Sequence, residues 1–141
     1  MFGRSNKLDT EWLARVRFFE GFTPEQLMQV SRLGERVEAE SGAELTDQGR
    51  FGDVVYVIVD GTANVSMNGD YVTTVGSGVM VGEMAVLENR PRNASVVAEG
   101  AMTLVAFGLS EFRALLDSNP GAKDKVLALL AARSRANDHR N

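Results

Sequence analysis

Between Glu35 and Phe107 glycine cuts the chain into apolar pieces too short to be helices, and this restricts the fold more than any other feature. Gly42, Gly49, Gly52, Gly61, Gly69, Gly76, Gly78 and Gly100 separate them. Asp53 to Asp60 carries Val54, Val55, Tyr56, Val57, Ile58 and Val59 without a polar break, so it reads as a strand covered on both faces. Thr62 to Met67 alternates, with Ala63, Val65 and Met67 on one face. Asn68-Gly69 is the strongest short hairpin signal in the chain, because a type I′ turn needs positive φ at both central residues. Tyr71 to Val75 is then the return strand. Asn93 to Glu99 and Met102 to Phe107 read as two more, joined at Gly100. Short strands separated by glycine turns imply a sandwich, jelly roll or barrel.

Helical periodicity brackets this block. From Leu8 to Phe19 the residues Trp12, Leu13, Val16 and Phe19 share one face behind Asp9 or Thr10 as cap, which predicts a single helix; Met1 to Lys7 is expected to fray. Thr23-Pro24-Glu25-Gln26 predicts a second helix with a capping box and proline at its first position. Leu27, Val30 and Leu33 are its buried stripe, and Gly34 its stop. After the strands, Ser110 is expected to cap Glu111 to Leu116. Asn119-Pro120 opens a last helix with Val126, Leu127, Leu129 and Leu130 on its apolar side. The predicted class is α+β, one domain in three parts. Residues 1–34 supply helices that pack on the barrel, 35–108 an antiparallel β-roll or jelly-roll barrel of about eight strands, and 109–141 the closing helices.

Composition narrows the function. The chain has no cysteine, which excludes disulfides, thiolate metal sites and a cysteine nucleophile. The single histidine, His139, sits in a polar tail, so metal-binding barrels and serine–histidine chemistry are poor fits. A net charge of −4 argues against nonspecific nucleic-acid binding. No apolar run approaches the roughly 18 residues that span a bilayer, and no signal core follows the N-terminus. The expectation is a cytoplasmic protein with no membrane association, no enzymatic activity and no cofactor.

The stretch most concerned with chemistry is 81–98, Val81 to Ala98. Gly82 lets the main chain approach a ligand closely. Amides from Glu83 to Val86, if they open a short helix, converge on one spot and favour an anion. Arg92 returns from the turn at Asn89 to Pro91 with a planar, permanently charged fork suited to phosphate. Glu83 offers a carboxylate to sugar hydroxyls. An anion-binding helix start, one arginine and one hydroxyl acceptor together fit a sugar phosphate.

At this spacing the stretch resembles the phosphate-binding cassette of the cyclic-nucleotide-binding domain family, which includes the catabolite activator protein and protein kinase A regulatory subunits. Val81, Gly82, Glu83, Ala85, Val86, Arg92, Ala94, Val96 and Ala98 fall on the pattern, and Asn93 departs from it. Leu45, Gly49, Gly52, Val55 to Ile58 and Gly61 match the family's second signature. Thr46 stands there where an apolar residue is usual, and Arg50 where an acidic or amide residue is usual. The resemblance implies that Glu83 binds the ribose 2′-hydroxyl, and that Arg92 with the helix-start amides holds the cyclic phosphate. The implied ligand-binding set is Gly82, Glu83, Met84, Ala85, Arg92, Asn93 and Ala94, with cyclic AMP or cyclic GMP as ligand.

The implied function is a sensor whose C-terminal helices change position on binding, acting on a protein effector or on a second copy through the leucine-rich last helix. The alternative is a non-binding relative of the same fold serving as a protein-interaction scaffold. After that helix the chain leaves no room for a helix-turn-helix, so a stand-alone domain without DNA binding is expected. Arg92 is expected to serve ligand binding and to matter little for folding.

Overall fold

The structure is a computed structural model that describes residues 2–4, 8–50, 52–82 and 91–128. The described strands are β1 (Phe2–Arg4), β2 (Gly34–Ala39), β3 (Glu44–Thr46), β4 (Val54–Asp60), β5 (Ala63–Met67), β6 (Asp70–Val75), β7 (Met80–Val81), β8 (Ser95–Ala98) and β9 (Met102–Gly108). They form two antiparallel sheets, one in the order β1-β2-β9-β4-β7 and the other β3-β8-β5-β6. The helices α1 (Thr10–Ala14), α2 (Pro24–Leu33) and α3 (Leu109–Ser118) are joined by a 3-10 turn at Arg17–Phe19 and by helical residues 120–128. This is the α+β architecture of a β-roll flanked by helices.

The central strands explain the layering. Successive residues of a strand point to opposite faces. In β4, Val55 and Val57 enter a core shared with the helices, whereas Ile58 and the partly buried Tyr56 enter the core between the sheets. In β9, Val105 and Phe107 face the helices, and Met102 and Leu104 face the second sheet. The continuous apolar run of β4 is therefore the sequence mark of the middle layer.

Local signals that need only their neighbours hold. Asn68 and Gly69 both take positive φ, 54° and 84°, and close the β5–β6 hairpin. Thr23 Oγ1 accepts from the Gln26 amide at 3.2 Å, and Gln26 Oε1 accepts from the Thr23 amide at 2.9 Å. Leu27 and Val30 are buried, Leu33 is half-buried, and α2 ends at Gly34.

Four expectations are corrected. Phe2–Arg4 does not fray, since it pairs with β2 as an edge strand from Phe2↔Ala39 to Arg4↔Val37, a ninth described strand. The single helix over Leu8 to Phe19 is broken. Asp9 caps α1, Val16 takes an extended conformation at φ −77° and ψ 124°, and the 3-10 turn follows. The break lets Leu13, Val16, Phe18 and Phe19 all reach the core. Ser110 lies inside α3, whose N-cap is Gly108 without a side-chain cap, and its hydroxyl bonds Glu111 instead. In the last helical segment Ala122 and Val126 are buried, one turn apart, whereas Leu127 is 52% exposed. Leu129 and Leu130 lie outside the described residues. Among the described residues no helix is long and apolar enough to cross a membrane.

Candidate functional site

Arg92 is the buried cation of the described site, 6% exposed, although it directly follows the exposed Pro91. Its Nη1 donates to the Gly82 carbonyl at 2.6 Å and its Nη2 to the Val54 carbonyl at 2.8 Å. One side chain therefore ties the start of the 81–98 stretch to the first residue of β4. The main chain of Arg92 is held as well. Its amide donates to the Arg50 carbonyl at 2.8 Å, and its carbonyl accepts from the Gly49 amide at 2.8 Å.

Two glycines make room for this guanidinium. A Cβ on Gly52 would run into Nη2, Nε and Cζ of Arg92, and one on Gly82 would run into Nη1. Gly82 also has φ 92°, which side-chain-bearing residues rarely adopt. The glycine block before β4 and the stretch after β7 are thus parts of a single site, joined by Arg92.

Beside the guanidinium lies a cleft of about 250 Å³ lined, among the described residues, by Glu44, Leu45, Thr46, Asp47, Arg50, Gly52, Asp53, Val54, Tyr56 and Arg92. Burial pushes the Tyr56 phenol above its ordinary 10.0; Arg92 opposes that rise and Asp53 adds to it. Arg50 is mostly exposed and pairs with Asp47 at 3.0 Å. The cleft offers a buried cation, apolar wall from Leu45 and Tyr56, and a rim of carboxylates. That is recognition chemistry for an anion attached to a less polar group. Among the described residues no group of three or more His, Cys, Asp or Glu is placed to hold a metal.

Of the residues expected at the site, the structure brings together Gly82 and Arg92. Ala94 is half-buried, and its carbonyl accepts from Thr46 Oγ1 at 2.9 Å. Asn93 is exposed and is not among the cleft-lining residues. Glu83, Met84 and Ala85 lie outside the described residues. Thr46 and Arg50, which the sequence marks only as departures from the second signature, both line the cleft, and sequence reasoning missed Tyr56 and Asp53. The signal for all four was their position within or beside the glycine block, which the fold places against Arg92.

This arrangement has known counterparts. Residues 36–119 match the cyclic nucleotide-binding domain family, and the chain belongs to it. The chain is 32% identical over 117 residues to a cGMP-dependent protein kinase of Toxoplasma gondii, across 83% of this chain and 11% of the kinase. It spans only that small part of the kinase's length. Among solved structures, a cyclic nucleotide-binding domain from Methylobacillus flagellatus matches with TM-score 0.81 and 25% identity, over 99% of this chain and 86% of that one. The catabolite activator protein of Thermus thermophilus matches with TM-score 0.76 and 28% identity, over 87% of this chain and 60% of that one. The family is a regulatory nucleotide-binding domain, not a catalytic one.

Proposed function

We propose that this domain binds cyclic AMP, one molecule per chain, and converts binding into a shift of the helices that follow the roll. The observation that carries the reading is Arg92, a buried guanidinium at the cleft, held between Gly52 and Gly82 in the register of the family's cassette. An anionic phosphate is a stronger acceptor than the neutral carbonyls of Gly82 and Val54, so the same fork can turn to it. In this reading Glu83 takes the ribose hydroxyl, the main chain from Gly82 to Ala85 meets the phosphate, and Asn93 and Ala94 flank the arginine. Preference for adenine is the weaker part of this reading, since it rests only on the lack of an obvious guanine-reading residue in the sequence of the last helix. The kinase relative makes cyclic GMP the necessary comparison ligand.

The helices have contacts that a ligand-driven shift would exchange. Asn119 Nδ2 donates to the Leu115 carbonyl at 3.0 Å and to Gln29 Oε1 on α2. Lys125 Nζ donates to the Phe18 carbonyl and lies 4.8 Å from the centre of the Phe18 ring. Burial holds this amine below its ordinary range, with Glu20 opposing. Such a shift moves a protein effector or a second copy only if that partner prefers one position of the helices.

Calorimetric titration with cyclic AMP and cyclic GMP tests the reading. Saturable binding at one site, tighter for cyclic AMP, is the expected result. The two main-chain hydrogen bonds of Arg92 also fit a second reading, in which the arginine is structural and the domain a scaffold. No heat and no thermal shift with either nucleotide at millimolar concentration would establish that reading in place of the first.

A further inference from the structure

We infer that Thr46 and Ser95 are positioning residues of the nucleotide site, whose hydroxyls clasp residues 46–50 to residues 92–95 and so hold Arg92 at the cleft. The inference rests on the nucleotide-binding reading above. Pairing between β3 and β8 is irregular and ends at Thr46↔Val96. Beyond that point side chains continue the connection. Thr46, only 6% exposed, donates from Oγ1 to the Ala94 carbonyl at 2.9 Å. Ser95 Oγ reciprocates by accepting from the Gln48 amide at 2.9 Å. The next contacts are the two on Arg92 itself, from the Gly49 amide and to the Arg50 carbonyl, both at 2.8 Å.

The clasp is anchored at its outer end as well. Gln48 Oε1 accepts from the Asn68 amide at 2.7 Å, and Gln48 Nε2 donates to Asn68 Oδ1 at 3.0 Å. The tip of the β5–β6 hairpin is thereby bonded to the 46–50 loop, and the loop to the arginine's main chain. A guanidinium pre-set in this way loses less freedom when a ligand binds. An apolar residue at position 46 would satisfy burial equally well but would remove the donor to Ala94. The hydroxyl at that position therefore has a specific task.

The test uses Thr46→Val, which keeps the shape and removes the hydroxyl, with Thr46→Ser as rescue and Ser95→Ala as an independent break. Each is titrated with cyclic AMP and cyclic GMP, and amide hydrogen exchange is followed without nucleotide. Thr46→Val is expected to weaken binding roughly three- to tenfold, the scale of one lost hydrogen bond. Exchange should quicken at the Arg92 and Gly49 amides while β9 keeps its protection, and Thr46→Ser should restore both. If Thr46→Val fails to fold, Ser95→Ala carries the same comparison. Unchanged affinity, loss of protection spread evenly over β9, or failure of the serine to rescue would each overturn the positioning role. A wild type that binds neither nucleotide would remove the nucleotide reading itself, and the positioning role with it.

Discussion

On the helix side of the five-stranded sheet the buried side chains are large, with Phe18, Phe19, Phe107, Phe112, Leu13 and Leu115 among them. Between the two sheets the mix includes small ones, with Ala39, Ala43, Ala63 and Ala98 set among Leu45, Ile58, Met102 and Leu104. The contrast follows from what each core must fill. Helices meet a sheet through rows of bulky side chains, whereas two sheets must converge for the roll to close, and alanines allow that. The buried polar residues among those described divide in the same way. Asn119 belongs with the helices, whereas Thr46 and Arg92 lie where the inter-sheet core opens at Leu45 and Tyr56 into the cleft. The helix-side core carries the aromatic residues, and the inter-sheet core, the thinner of the two in side-chain size, ends in a site.

The largest effect should come from the bulky side. Phe107→Ala, at a residue 1% exposed, should cost about 3–5 kcal/mol of folding stability, the usual range for such a truncation. Thermal or denaturant unfolding measures it. Nucleotide affinity, titrated well below the melting point, should stay within roughly twofold, since the Phe107 side chain faces the helices, on the other side of the sheet from Tyr56 and the cleft. An equal loss in affinity would erase the distinction between the two cores.

Arg92→Ala is the counterpart on the thin side. Removing one member of a buried charge pair costs ~2–5 kcal/mol of binding, or roughly thirtyfold to several thousandfold in affinity. The sequence expectation that Arg92 matters little for folding is revised here. The Gly82 and Val54 carbonyls lose their guanidinium donors, so unfolding should also come earlier, by about 1–3 kcal/mol. Glu83→Ala should weaken binding less, by ~1.5–3 kcal/mol, and Arg90→Ala should change it little. A folded Arg92→Ala protein that binds as well as wild type would overturn the site.

Enlarging the thin core should sharpen the comparison further. Ala63 has no exposed surface and pairs with Val75 and Ala98, so Ala63→Leu would push the sheets apart. The expected cost is about 1–3 kcal/mol in denaturant unfolding. No change at all would mean that the sheets are not closely packed.

The smallest effect concerns pH. The Tyr56 phenol is raised in the folded state chiefly by burial, so above its ordinary 10.0 the unfolded chain releases a proton that the folded chain keeps. Stability should therefore be intact below that value and fall as pH rises past it. Tyr56→Phe should flatten this part of the alkaline limb in melting curves collected from neutral pH upward. An unchanged limb would separate Tyr56 from the loss.

Some of this was open to reading in the sequence because its causes are local. The Asn68-Gly69 turn depends on the φ preferences of two residues, and the capping box on four. The β4 run announces burial on both faces through its own side chains. The spacing of Gly82 and Arg92, together with the glycine block, marked the family. Other features were decided only when distant segments met. Phe2–Arg4 is a strand because β2 offers it an edge, and the break near Val16 exists because the core accepts residues from both sides of it. Leu127 is exposed because Ala122 and Val126 face the core, a choice that composition does not make. The partners of Arg92 lie at Gly82, Val54, Arg50 and Gly49, and Gly52 is small where the guanidinium passes. No periodicity specifies which carbonyl a buried cation will meet. That depends on the closure of the two sheets, which brings residues about forty positions apart within hydrogen-bonding distance.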